Sequence, residues 1–187
     1  IANLKPRKND NVFREIIRFI HVGTINNRKN QAFTVRLLGS FKKKYPAIFD
    51  IYEKKDQIKN IYKSPLMVNG NGINSRYYSD NGYFIIHPSI LYEIGNTGNS
   101  AANCVLEALD KALDIFPIDS ARVGLIGHSF GGYETNFILT KTNRFKTAVS
   151  SSGVADILSA YFTFSQEYKI PDMFRYETQQ FRMGESF

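Results

Sequence analysis

One stretch of five residues, Gly127-His128-Ser129-Phe130-Gly131, with Gly132 directly behind it, constrains this chain more than any other. A short apolar run, Val123-Gly124-Leu125-Ile126, precedes it, and a helix-compatible run, Tyr133 to Thr140, follows. The order is strand, tight turn, helix, with a serine at the apex. A turn that sharp strains the serine backbone and crowds its neighbours, and glycines at 127 and 131 relieve the crowding. The Ser129 hydroxyl is then lifted clear, and the next backbone N–H opens onto the same space at the helix start. A plain glycine-rich turn is the competing reading, and the strand–turn–helix context favours the catalytic one. Ser129 is therefore the candidate nucleophile.

The rest of the chain supplies a scaffold for such a turn. Tyr45-Pro46 opens a strand, Ala47 to Tyr52, and Asn81-Gly82 turns into another, Tyr83 to Ile86. Gly95 and Gly98 lead into a helix from Ser100 to Phe116, with Ala101, Val105, Ala108, Leu109, Ala112 and Phe116 on one apolar face. Pro117-Ile118-Asp119 closes it and feeds a strand from Ala121 to Ile126; a further strand, Phe145 to Val149, ends in the Ser150-Ser151-Ser152-Gly153 turn. This alternation predicts an α/β fold with a mostly parallel sheet and flanking helices. Ligands bind such sheets beyond the carboxyl ends of the strands, where Tyr52, His87, Ser129 and the Ser150–Gly153 turn fall.

The first forty residues carry no recognisable chemistry. They read as a polar lead-in, a short helix from Val12 to Ile20, an Asn-rich loop and a strand from Ala32 to Leu38. His21 reads as structural or exposed. Residues 1–63 hold 15 Lys and Arg against 5 Asp and Glu, net +10, and the remainder holds 9 against 12, net −3. A solvated Lys-rich face is preferred over a nucleic-acid patch, because no nucleic-acid motif accompanies the charge. Asn69-Gly70-Asn71-Gly72 lacks the ending of a phosphate-binding P-loop, and Gly95 with Gly98 lacks the full dinucleotide fingerprint. No His, Cys and carboxylate cluster has metal-ligand spacing, so neither metal nor cofactor is expected. The single cysteine, Cys104, reads as a core filler. No apolar run is long enough for a membrane span. The chain begins with Ile1, so an upstream segment and export both stay open.

These residues resemble a known family. Lys44-Tyr45-Pro46-Ala47-Ile48-Phe49-Asp50-Ile51-Tyr52 resembles the opening catalytic-domain strand of prolyl oligopeptidase-family serine peptidases, the dipeptidyl peptidase IV-like branch above all. Pro117 to Tyr133 is similar to the family's nucleophile region, and Thr142 to Val149 and Gly153-Val154-Ala155-Asp156 continue in register. The resemblance covers residues 41–184. It implies an α/β-hydrolase fold, with residues 41–187 the N-terminal part of a catalytic domain, incomplete at the C-terminus, and residues 1–40 a lead-in or the remnant of an upstream propeller-like domain. It implies a peptide substrate, Ser129 as the acyl-enzyme nucleophile, and the Phe130 backbone N–H and Tyr52 hydroxyl as oxyanion-hole donors. Ile157, Tyr161 and Tyr176, from an aromatic-rich segment, would line a pocket for proline or another small apolar residue; a lid packed on the sheet is the alternative.

The sequence departs from the family in one chemical respect. A serine nucleophile needs a base and an orienting carboxylate, which follow it in this fold in the order Asp, then His. None of the 58 residues after Ser129 is a histidine; the three histidines are His21, His87 and His128. Asp156 and Asp172 are the only later aspartates; Asp156 follows a strand and could be proposed as the acid, but its family match is not the catalytic aspartate. The Gly-rich stretch after the oxyanion tyrosine is replaced by Glu53-Lys54-Lys55. Three readings follow: a serine peptidase, an esterase or lipase on the same fold, or a catalytically incomplete hydrolase fold that binds a partner.

Overall fold

Alternation decides the central strand. Along β1 (Tyr45–Ile51) residues 45, 47, 49 and 51 are buried and 46, 48 and 50 only half so, the period of two of a strand with one face on the core. The computed structural model describes residues 43–55, 64, 73–166 and 169–184. Three further strands, β2 (Phe84–Ile86), β3 (Ile118–His128) and β4 (Thr147–Ser151), complete a parallel sheet in the order β2-β1-β3-β4. The expected helix at 12–20, the strand at 32–38, the basic front segment up to Lys42, His21 and the 69–72 turn lie outside the described residues.

Two helices cover the buried face. In α2 (Thr97–Ile115), Ala101, Val105, Leu109 and Ala112 are buried at helical spacing and join Phe49, Ile51, Val123 and Leu125 in one core. The helix begins three residues before its expected start, through Thr97 and Gly98. A Cβ at Gly98 would lie 2.7 Å from the Phe137 ring, so glycine permits α2 to meet α3 (Phe130–Lys141) closely. Pro117 ends α2 by driving Phe116 into extended backbone.

Two strands and one helix depart from expectation here. β3 starts at Ile118 rather than Ala121, because Ile118 is buried opposite Tyr45. The register then jumps from Tyr45↔Ile118 to Ala47↔Val123, and residues 120–122 lie exposed in a bulge, where Arg122 pairs with Asp119 at 2.7 Å. β4 runs 147–151 rather than 145–149: Phe145 is spent on the core, ring to ring with Phe49 at 5.7 Å, and pairing begins at Thr147↔Gly124. A six-residue helix, α1 (Ser75–Asp80), was not anticipated. Asn74 caps it, accepting from the N–H groups of Arg76 and Tyr77 at 3.1 Å each.

After β4 the chain forms α4 (Ile157–Tyr161), an antiparallel pair β5 (Phe164–Ser165) and β6 (Ile170–Pro171), and α5 (Met173–Glu177). This segment packs a second core of Phe130, Tyr161, Tyr176 and Phe181, with Tyr52, Tyr92 and Tyr133 around it. Among the described residues no helix is long and apolar enough to cross a membrane.

Candidate active site

The site grows from the junction of β3 and α3. Ser129 stands between them with φ 55° and ψ −116°, a strained region for a residue with a side chain. Three backbone bonds hold it there: its N–H donates to the Ser151 carbonyl at 2.7 Å, and its own carbonyl accepts from Gly132 at 2.9 Å and Tyr133 at 3.1 Å. Side chains have no room beside it. A Cβ at Gly127 would fall 2.0 Å from the Gly131 carbonyl oxygen, and one at Gly131 would fall 2.4 Å from that of Ile51. The glycines therefore let β1, β3 and the first turn of α3 touch through backbone alone. The expected helix started at Tyr133 because two glycines weaken the propensity signal of its first turn; the turn itself starts at Phe130.

That start has a chemical consequence. Phe130 is the first helical residue, so its N–H has no carbonyl four residues back within the helix. Its side chain points away from water, 2% exposed, between the rings of Tyr133, Phe181, Tyr92 and Tyr52. Tyr52 follows the last residue of β1, and Ile51 is registered with Gly127 at the end of β3. The Tyr52 ring meets Phe130 edge-on at 6.2 Å. Its hydroxyl accepts a hydrogen bond from Gln180 Nε2 at 2.9 Å, which leaves the phenolic proton to donate elsewhere. The arrangement thus offers a raised hydroxyl, a helix-start N–H and an oriented phenol at the carboxyl ends of neighbouring strands. Gln180 was not foreseen; 128 residues separate it from Tyr52.

Among the described residues, neither His87 nor His128 completes a relay to Ser129. His87 follows β2, its Nδ1 3.2 Å from Asp50 Oδ2 and its Nε2 3.0 Å from Ser75 Oγ, so both ring nitrogens are engaged elsewhere. Burial alone would raise the Asp50 carboxyl, but the His87 hydrogen bond and the Lys55 charge at 2.8 Å more than offset it and hold it below its ordinary range. His128 Nδ1 lies 3.2 Å from Ser151 Oγ. Asp156 is a helix cap: it accepts from the N–H groups of Leu158 and Ser159 and from the Ser159 hydroxyl, bonds that hold its carboxyl low.

The three pocket candidates separate. Ile157 lines a cavity of about 150 Å³, together with Thr97, Gly98, Tyr133, Phe137 and Phe181. Tyr161 and Tyr176 are buried in the aromatic core instead, the Tyr161 hydroxyl donating to Glu177 at 2.5 Å and the Tyr176 ring stacked on Phe181 at 4.4 Å. One residue near the site was overlooked altogether. Glu134, on α3, is 0% exposed, and burial, only partly offset by a Tyr92 hydrogen bond, pushes its carboxyl up to about 8.

Known proteins show the same arrangement of elements. An acylaminoacyl peptidase solved with Z-Gly-Gly-Phe-chloromethyl ketone superposes with a TM-score of 0.55 at 25% identity, over 78% of this chain and 23% of that one. The uncomplexed Pyrococcus horikoshii acylaminoacyl peptidase gives 0.54 at 25% identity, over 76% and 23%. Porphyromonas gingivalis dipeptidyl peptidase 4 shares the fold at 22% identity, with a TM-score of 0.51 over 61% and 17%. In sequence, 66 residues are 39% identical to the uncharacterized peptidase YuxL of Bacillus subtilis (strain 168), covering 35% of this chain. The chain spans about a tenth of that relative and under a quarter of the solved peptidases. It has an α/β-hydrolase fold, and residues 94–184, which hold the Ser129 turn, match the model of the prolyl oligopeptidase family.

Proposed function

We propose that this chain carries the nucleophile and oxyanion-binding half of a serine peptidase of the prolyl oligopeptidase type, residues 41–187 being the N-terminal part of its catalytic domain. The observation behind the proposal is the Ser129 turn: a serine with φ 55° held between β3 and α3, beside a helix-start N–H that has no partner within the helix. Ser129 Oγ attacks the scissile carbonyl carbon as its proton passes to a base. The carbonyl oxygen, now negative, accepts from the Phe130 N–H and the Tyr52 hydroxyl. Collapse of this intermediate breaks the C–N bond, releases the amine with the transferred proton, and leaves the acyl group on Ser129; water then hydrolyses the ester. A single oxyanion donor of this kind lowers the barrier by about 3 kcal/mol. Among the described residues, no base with its carboxylate is gathered around Ser129.

Specificity is read from the segment after β4. An acyl-side preference for proline or a small apolar residue is part of the same proposal; of its three candidate residues Ile157 lines the cavity, whereas Tyr161 and Tyr176 are packed in the aromatic core. The opening-strand motif ending at Tyr52 favours the dipeptidyl peptidase IV-like branch, whereas acylaminoacyl peptidases stand among the structural neighbours.

A fluorophosphonate probe followed by intact-mass measurement tests the nucleophile. One adduct on the wild-type chain, absent from Ser129→Ala, is expected. An adduct that survives Ser129→Ala refutes the assignment. No adduct on either protein favours the second reading, a hydrolase fold that binds peptide without cleaving it, which the engagement of His87 and His128 elsewhere supports. Turnover of short-acyl esters without turnover of peptides would instead assign an esterase.

A further inference from the structure

Glu134 presents an accounting problem that one proton solves. Its Oε1 meets the Tyr92 hydroxyl, and the same hydroxyl lies 3.1 Å from the backbone carbonyl oxygen of Tyr52. A phenol has one proton, and a carbonyl can only accept. If Glu134 were ionised, Tyr92 could satisfy one of these two acceptors and not both. Glu134 Oε2 is also buried, with no hydrogen-bond partner among the described residues. A bare oxygen costs far more on a carboxylate than on a neutral acid. The charged groups nearby do not neutralise it: Arg182 lies over the Tyr92 ring at 4.4 Å but pairs with Glu53 at 2.8 Å, and Lys55 pairs with Asp50 at 2.8 Å.

We propose that Glu134 is a protonated positioning residue, donating to Tyr92, which in turn donates to the Tyr52 carbonyl and so fixes the root of the oxyanion tyrosine. The bond order is Glu134 O–H to Tyr92 Oη, then Tyr92 O–H to the Tyr52 carbonyl oxygen. Tyr52 is thereby held at both ends, by Tyr92 at its backbone and by Gln180 at its hydroxyl. Ionisation would draw the Tyr92 proton to Glu134 and release the Tyr52 carbonyl. The groups facing Glu134 act in both directions: burial and Glu53 favour the acid, while the Tyr92 hydrogen bond, Lys55 and Arg182 favour the anion. Tyr133, the residue before it, is itself raised, by burial and by the Glu134 charge.

The inference rests on the peptidase reading for the role of Tyr52, but its protonation does not, and the tests separate the two. Infrared spectroscopy of the full chain at neutral pH should contain a carboxylic-acid band that Glu134→Gln removes. With ¹³C-labelled tyrosine, the Tyr52 ring signal, assigned by its loss in Tyr52→Phe, should titrate with a midpoint near 8 in the wild type and stay flat in Glu134→Gln. The glutamine is close to isosteric and keeps a donor toward Tyr92. Where peptide turnover is measured, Glu134→Ala should lower kcat on the order of tenfold with KM little changed, a fraction of one donor's worth. Glu134→Gln should restore kcat and remove the fall in rate above pH 8. An ionised Glu134 at neutral pH, or a Tyr52 signal indifferent to its titration, overturns the proposal. Absence of Ser129-dependent turnover overturns the peptidase reading alone and leaves the spectroscopic result to decide this one.

Discussion

Replacing Glu134 by glutamine should stabilise the folded chain, and increasingly so as pH rises. The carboxyl titrates near 4.5 when unfolded and near 8 when folded. Between those values the folded state binds the proton more tightly, so raising the pH pulls the equilibrium toward the unfolded chain. The slope is about 1.4 kcal/mol per pH unit for one fully displaced proton. Below pH 4.5 both states hold the proton and wild type and variant should be alike. By pH 8 the wild type should have lost about 4 kcal/mol that the neutral amide does not lose. Urea unfolding at pH 5, 6, 7 and 8 measures the difference, with tyrosine fluorescence as the signal, since the chain has 11 tyrosines and no tryptophan. Other groups titrate in both proteins and largely cancel in the comparison. Parallel stability profiles, or a wild type that gains on the variant as pH rises, would refute the buried acid.

Three further changes probe the scaffold. Gly131→Ala places a methyl 2.4 Å from the Ile51 carbonyl oxygen, and moving backbone to admit it should cost about 3 kcal/mol in chemical denaturation. Asn74→Ala removes the cap of α1 and the side-chain bond to the Ser64 carbonyl at 2.6 Å, for a loss of about 1 kcal/mol in the same assay. Gln180→Ala frees the Tyr52 hydroxyl; kcat for peptide should fall by less than the roughly hundredfold expected of Tyr52→Phe, with KM nearly unchanged in both. Equal effects of the two variants would mean that Gln180 acts on more than Tyr52.

What could be read from the sequence was whatever its neighbours in the chain determine. The apolar run of β1 and the glycines around Ser129 are local patterns; a strand expected over Ala47 to Tyr52 stands at Tyr45–Ile51, and the Ser129 turn falls between strand and helix as expected. The misplaced boundaries follow from partners far along the chain. Residues 119–122 have no strand period, yet β3 begins before them because Ile118 sits opposite Tyr45. Phe145 looks like the first residue of a strand but is taken by Phe49. α1 lacks an apolar stripe, and its one local mark was an asparagine placed to cap it.

The same distinction separates the visible half of the candidate site from the hidden half. The Ser129 turn is marked by contiguous residues, since only glycine fits where Gly127 meets the Gly131 carbonyl, although Gly131 also meets the Ile51 carbonyl from far along the chain. The residues that hold Tyr52 depend on the fold: Gln180 arrives from beyond α5, Tyr92 from the loop before α2, and Glu134 from α3. A glutamate two residues after a glycine pair reads from sequence as a solvated helix position, and nothing within ten residues marks it as buried. Its burial becomes intelligible only with Tyr92 beside it, because an acid that donates satisfies a phenol whose own proton is committed to a backbone carbonyl. An apolar residue at 134 would leave Tyr92 with a single partner and no dependence on pH. The carboxyl therefore adds to this site a proton-sensitive hold on Tyr52 that packing alone would not supply.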